Sequence, residues 1–249
     1  ISTVLFFASA GCVCTEIPAS AYAAQAMPLT ECTALPEWRV SFSAADHPAK
    51  LRSRHAGNKI TGRGKIIYDF LASEIKKIAE GEKSSTQFAI PIKDLVQQLQ
   101  YTPQELGVPF NSKEEQHYAL GQFMERELIT DTQLRVIYDS LLANLPYELY
   151  WYDKSAEDSF IVSLDGAQTR NDSGRGLCLC VDNAVLTFHF SVDRYYGSDY
   201  QTNAASIHTA MHAAANAQKI VEEAAQLSDY QKLAYYCEKI CALTSYNLQ

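Results

Sequence analysis

An α+β fold is predicted from three features of the chain: helical periodicity before residue 145, alternating aromatic and β-branched segments between residues 148 and 192, and a return to helical periodicity after residue 203. Helices that precede and follow a small antiparallel sheet, rather than alternating with its strands, point to α+β and not to α/β. The amount of apolar material agrees, since 47% of the 249 residues are hydrophobic and only 11 are glycine and 8 proline. That composition supports a real core and excludes disordered, collagen-like and low-complexity classes.

The first confident helix runs from Lys65 to Glu80. Ile66, Ile67, Phe70, Leu71, Ile75 and Ile78 recur at three- and four-residue steps, and Gly81 follows as a stop. Thr86 to Ile92 reads as a strand that Pro91 interrupts. Ser112 to Glu127 and Thr130 to Ala143 read as two further helices, the second burying Leu134, Ile137, Tyr138 and Leu141, with Pro146 closing the helical region. Glu148–Tyr152, Ser159–Leu164 and Cys178–Val192 are strand-like, and Asp165–Gly176 is expected to be a turn between strands. In Val185–Val192, Leu186, Phe188 and Phe190 share one face while Thr187, His189 and Ser191 share the other, the pattern of an antiparallel strand with one wet side. Ala204–Gln226 is helical. Ser228-Asp-Tyr-Gln231 then forms a capping box for a last helix, whose buried stripe is expected to be Leu233, Tyr236, Cys237, Ile240, Cys241 and Thr244.

The net charge is −8, from 29 acidic against 21 basic residues, and an acidic surface repels phosphate backbones. Nucleic acid is therefore not an expected partner. No apolar run reaches the roughly 20 residues that cross a bilayer, so an integral membrane protein is not expected either. The chain opens on Ile1-Ser-Thr-Val-Leu-Phe-Phe-Ala, which reads as the apolar centre of a secretory signal, and Ala21-Tyr22-Ala23 supplies small residues for cleavage before Ala24. A lipid anchor at Cys12 is the alternative, with Ser9 standing where such signals carry leucine. Export to the surface or medium is the localisation expected.

Removal of that leader leaves Cys32, Cys178, Cys180, Cys237 and Cys241, an odd number and a spacing poor for a disulfide framework or a zinc site. Cys178 and Cys180 alternate on one strand, about 6.5–7 Å apart along it, and Cys237 and Cys241 lie one helical turn apart. Both pairs read as core filler. The stretch from residue 24 to 64, with Pro28, Pro36 and Pro48, reads as a linker, and from Lys50 to Lys65 the chain has six basic residues and no acidic one. Gly57 and Gly62 have the glycine spacing of a phosphate loop, but Arg63 and Gly64 stand where that loop needs lysine and serine or threonine. A solvated basic segment is the simpler reading.

Two segments carry a family likeness. The run Tyr138-Asp-Ser-Leu-Leu-Ala-Asn-Leu-Pro-Tyr-Glu-Leu-Tyr-Trp-Tyr-Asp-Lys154 is similar to a stretch of exported bacterial proteins of the transglutaminase-like superfamily. Ala217-Gln-Lys-Ile-Val221, followed by Ser228-Asp-Tyr-Gln-Lys-Leu-Ala-Tyr-Tyr-Cys-Glu-Lys-Ile-Cys-Ala-Leu-Thr-Ser-Tyr-Asn247, resembles the helix that leads into the papain-like core of that superfamily. The resemblance implies a Cys-His-Asp thiol enzyme whose cysteine opens a helix shortly afterwards, with His and Asp on later strands. A thiolate at a helix N-terminus beside an imidazole becomes nucleophilic near neutral pH and can attack a glutamine or peptide carbonyl. No such cysteine helix occurs up to Gln249. The implied organisation is residues 1–23 as a signal remnant, 24–64 as a lead-in, 65–200 as an α+β region, and 201–249 as the start of a truncated transglutaminase-like domain.

No catalytic, cofactor-binding or metal-binding residue is therefore assigned within the chain. Cys237 and Cys241 are excluded as nucleophiles by their place inside the helix stripe. His189 faces the wet side of a strand with no Cys or Ser expected beside it. His208 and His212 stand at i and i+4, a spacing that binds zinc, but without a third ligand. Tyr147, Tyr150, Trp151 and Tyr152 could build a sugar-stacking platform, although alternation splits them between faces. The expected partners are a protein or peptide substrate of the intact enzyme and cell-wall material. The alternative function is a non-catalytic cell-surface module that binds wall glycan or peptide.

Overall fold

The computed structural model describes residues 32–43 and 60–243. The leader at 1–23, Cys12, the cleavage position before Ala24, Gly57 and most of the basic stretch lie outside them. The fold is α+β. In chain order it runs β1 (Thr33–Ala34), β2 (Trp38–Phe42), α1 (Gly62–Ala79), β3 (Gln87–Pro91), β4 (Gln100–Tyr101), α2 (Pro103–Leu106), α3 (Lys113–Phe123), α4 (Asp131–Asn144), β5 (Phe160–Asp165), β6 (Gln168–Asp172), β7 (Gly176–Cys180), β8 (Val185–Phe190), β9 (Gly197–Ser198), β10 (Gln201–Thr202), α5 (Ala204–Glu223) and α6 (Asp229–Leu243).

Eight strands form two four-stranded antiparallel sheets, β2-β5-β8-β3 and β1-β6-β7-β4, and β9 and β10 pair as a separate two-stranded ribbon. The two four-stranded sheets are halves of one bent surface. The chain from Phe160 to Asp172 pairs with the chain from Gly176 to Phe190 as one long hairpin, while β1–β2 flanks it on one side and β3–β4 on the other. Backbone bonds carry the pairing across the bend: Leu35 N–H donates to Ala167 C=O at 3.0 Å, Ile92 N–H to Ala184 C=O at 2.9 Å and Val181 N–H to Leu99 C=O at 2.9 Å. Gly166 sits at the corner with φ +77°, a conformation that glycine adopts without the clash a Cβ brings.

Here the structure differs from the sequence expectations in three places. The expected turn at Asp165–Gly176 is mostly strand, with β6 occupying Gln168–Asp172. The expected lead-in contains β1 and β2, and Phe42 reaches the core. Glu148–Tyr152 is a set of turns that joins the sheet only through a bridge from Tyr152 to Val192.

Helix starts follow a legible rule. Thr102/Glu105, Ser112/Glu115 and Thr130/Gln133 each form a reciprocal capping box at the first turn of α2, α3 and α4, satisfying amides that otherwise lack partners. α3 runs on into a π-helical turn, Met124–Leu128, closed by Ile129 N–H onto Met124 C=O at 2.7 Å. α1 buries Ile67, Leu71, Ile75 and Ile78, and packs on α4 through Leu134, Ile137, Tyr138 and Leu141. The sheet offers Phe88, Phe160, Phe188 and Phe190 to the same core. Each such side chain contributes about 1.5–3 kcal/mol relative to exposure. Tyr138 stacks on Phe160 with ring centroids 4.9 Å apart, and its hydroxyl lies 2.8 Å from that of Tyr152. Among the described residues no helix is long and apolar enough to cross a membrane.

Candidate functional site

The cysteines come first, because the family likeness implies thiol chemistry. Cys178 and Cys180 are buried on β7, and burial pushes both thiols above their ordinary pKa. They are core filler, as the alternation predicts. Cys237 and Cys241 are not. Both are exposed on α6, together with Leu233 and Ile240 of the stripe expected to be buried there, while Tyr236 is half-buried and Thr244 lies outside the described residues. The two cysteines stand in the third and fourth turns of α6, which starts at Asp229, beyond the first turn in which a helix N-terminus stabilises a thiolate. Among the described residues no hydrogen bond joins a cysteine to a histidine.

His189 has a neighbour that the sequence reading did not foresee. On the outer face of β2-β5-β8-β3, the Ser163 Oγ lies 3.4 Å from His189 Nε2 and donates to Asp165 Oδ2 at 3.3 Å. Burial, then the charge of Arg39, lowers the His189 pKa, while Glu37 and Asp165 pull the other way. Tyr200 meets the imidazole edge-on at 5.4 Å from a two-residue turn in which Asp199 and Tyr200 both have positive φ. Serine, histidine and aspartate are thus together, but in the wrong order. Acyl transfer needs histidine between the nucleophile and the acid, whereas Ser163 stands between His189 and Asp165. Its side chain is also sealed, with the residue 1% exposed. The trio braces β5 to β8 and presents no nucleophile to a substrate.

A hollow of about 440 Å³ lies between the start of α1 and the π-helical turn, lined by Arg63, Leu95, Gln97, Gln98, Tyr101 and Glu127. The Arg63 Nε donates to Leu95 C=O at 3.1 Å and the Tyr101 hydroxyl to Gln98 C=O at 2.9 Å. Burial, with Glu127 adding to it, pushes the Tyr101 phenol up to about 12. It is a committed donor at neutral pH and not a base. Gly62 opens α1 with φ +56°, so the glycine-rich stretch Gly62–Gly64 serves a helix start.

The aromatic platform dissolves. Trp151 and Tyr152 are buried, packed against Phe190, and the Tyr150 hydroxyl donates to Ala79 C=O at 3.2 Å. Tyr147 alone of the four is fully exposed. His208 and His212 do share a face of α5, with ring centroids 4.4 Å apart. Among the described residues no group of three or more His, Cys, Asp or Glu is placed to hold a metal.

What remains open is the α5–α6 hairpin. Asn203 caps α5 by accepting from Ala205 and Ser206 N–H, and the Gln231 side chain accepts from Ser228 N–H at 3.0 Å at the start of α6. Glu223 ties the two helices, accepting from the Tyr235 hydroxyl and pairing with Lys239 at 3.6 Å. Yet only Ile207 of α5 and no residue of α6 is buried. Val221, Leu233 and Leu243 remain 51%, 62% and 70% exposed. Between the helices runs an apolar groove of about 450 Å³ lined by Ala213, Ala217, Ile220, Tyr236 and Ile240. A pair of amphipathic helices normally hides such a stripe. No family model, curated protein or solved structure matches the chain.

Proposed function

We propose that this chain is the exported, non-catalytic N-terminal portion of a bacterial transglutaminase-like protein, with α5 and α6 as the helices on which a thiol-enzyme core is built. The supporting observation is the exposed apolar stripe of α5–α6, which coincides with the segment that resembles the helix leading into that core. The bent sheet and α1–α4 have their own finished core, so they act as a platform beside the enzyme and not as part of its chemistry. The chain alone transfers no acyl group from glutamine to an amine. Its partners in this reading are the protein or peptide substrates of the complete enzyme.

Reading the coding sequence past Gln249 tests the proposal. The expected result is a helix opened by cysteine and later segments with His and Asp, within about 150 residues, a usual domain length. A continuation without those elements overturns it. In the extended protein, hydrogen exchange across 204–243 should slow relative to the present chain, since covered helices open less often.

A further inference from the structure

We infer that His208 and His212 form a surface chelate for a divalent late transition-metal ion, copper(II) or nickel(II) ahead of zinc(II), independently of any thiol chemistry. Both residues are exposed on α5 and their rings meet edge-on, with centroids 4.4 Å apart. A metal–imidazole bond of about 2.0–2.1 Å puts the ion about 3.2 Å from each ring centre. Two rings at right angles about one ion then stand about 4.5 Å apart, and two at the tetrahedral angle about 5.2 Å. The observed separation matches adjacent positions of a tetragonal or octahedral ion, the geometry that copper(II) and nickel(II) prefer. One helical turn thus keeps the two rings within reach of a single ion, so no backbone rearrangement is needed to bring them together.

The surroundings favour a cation. From Ala204 to Gln218 the helix carries no Lys, Arg, Asp or Glu, so no ammonium or guanidinium on that stretch repels the ion, and the protein is acidic overall. Since no third side chain joins the pair, water or an external ligand takes the remaining positions. The site is bidentate and exchangeable, unlike a closed structural zinc centre.

The test uses the tag-free full chain with NiCl₂ and CuCl₂ in calorimetric titration, beside His208→Gln, His212→Gln and the double variant. His117→Gln serves as a control. The expected result is one nickel ion per chain, binding at least roughly tenfold weaker in either single variant and unchanged in the control. Nickel should also slow amide exchange across 204–216 in the parent and not in the double variant, because an ion bridging one turn stabilises that turn. Equal nickel affinity in parent and double variant, or no binding up to roughly 1 mM nickel, overturns the inference. Both histidines are solvent-exposed, so these variants keep the fold, and circular dichroism melting verifies it.

Discussion

Gly166 and Asn183 approach so closely at the bend of the sheet that a Cβ on Gly166 would lie 2.6 Å from the Asn183 carbonyl oxygen. The contact is backbone against side chain, and the backbone cannot move without breaking the ladders on both sides of the corner. Gly176 supplies a natural comparison, with nearly the same φ, +76°, and nothing within 4 Å of its imagined Cβ. Gly176→Ala should cost about 1–2 kcal/mol, from the left-handed conformation alone. Gly166→Ala should cost about 2–4 kcal/mol, because steric overlap adds to it. Urea unfolding of the two variants checks the difference, and equal costs would show that the corner is not rigid.

The same corner explains which parts of the fold were legible beforehand. α1 and α4 announce themselves through apolar residues at helical spacing, with Thr130 at the start of α4. The bend does not. Gln168-Thr-Arg-Asn-Asp172 is polar and looks like loop, yet it is held as strand by pairing to β1 and β7, a tertiary cause that local composition does not carry. Reading that stretch as a turn removes the register of the long hairpin. With it goes the prediction that Ser163 and His189 are neighbours across the paired strands β5 and β8. The α6 stripe shows the opposite failure. Its periodicity was legible, but period says which residues share a face and not whether anything covers it.

Trp151 belongs to the core, and its replacement tests that against a binding role. The indole is fully buried against Phe190 and Tyr152, and its Nε1 has no hydrogen-bond partner among the described residues. Trp151→Ala should lower stability by about 3–5 kcal/mol through the cavity it leaves. Trp151→Phe should cost less than half as much, because it also removes a buried unpaired donor. Thermal unfolding with near-ultraviolet dichroism measures both. A stable alanine variant would return Trp151 to the surface.

His189 makes stability depend on pH in a defined direction. Burial, then Arg39, lowers its pKa from the ordinary 6.5, so the native state favours the neutral ring. As pH falls through 6.5, the unfolded chain takes up a proton that the folded chain refuses, and stability drops until the native pKa is reached. Above 6.5 the contribution is complete. His189→Gln should therefore flatten this part of the profile, with Arg39, Glu37, Asp165, Ser163 and Tyr200 left in place. Urea midpoints at closely spaced pH values on either side of 6.5 decide it, and identical slopes for parent and variant would refute the assignment.

Thiol accessibility separates the two cysteine pairs. Cys32, Cys237 and Cys241 are exposed, whereas Cys178 and Cys180 are buried with raised pKa values. Iodoacetamide applied to the native chain should alkylate the first three and spare the other two until denaturant is added, as peptide mass spectrometry would read. Rapid native alkylation of Cys178 or Cys180 would mean that β7 opens readily.

The attachment of α5–α6 rests on few contacts, which makes it separable from the rest. Ile207 is the buried anchor of α5, lying against the Gly81 turn that follows α1, where a Cβ on Gly81 would be 3.5 Å from the Ile207 side chain. Ile207→Ala should cost about 2–4 kcal/mol for the contact it removes. Leu233→Gln and Leu243→Gln should change stability by no more than about 0.5 kcal/mol, since both side chains already face water. In a longer protein where a core domain covers the stripe, the same two substitutions become costly, by about 2–4 kcal/mol each. The contrast between chains of two lengths, measured by urea unfolding, reads directly whether the stripe is an interior face. Costs equally small in both would mean that the α5–α6 face stays wet, and the platform reading would fall with it.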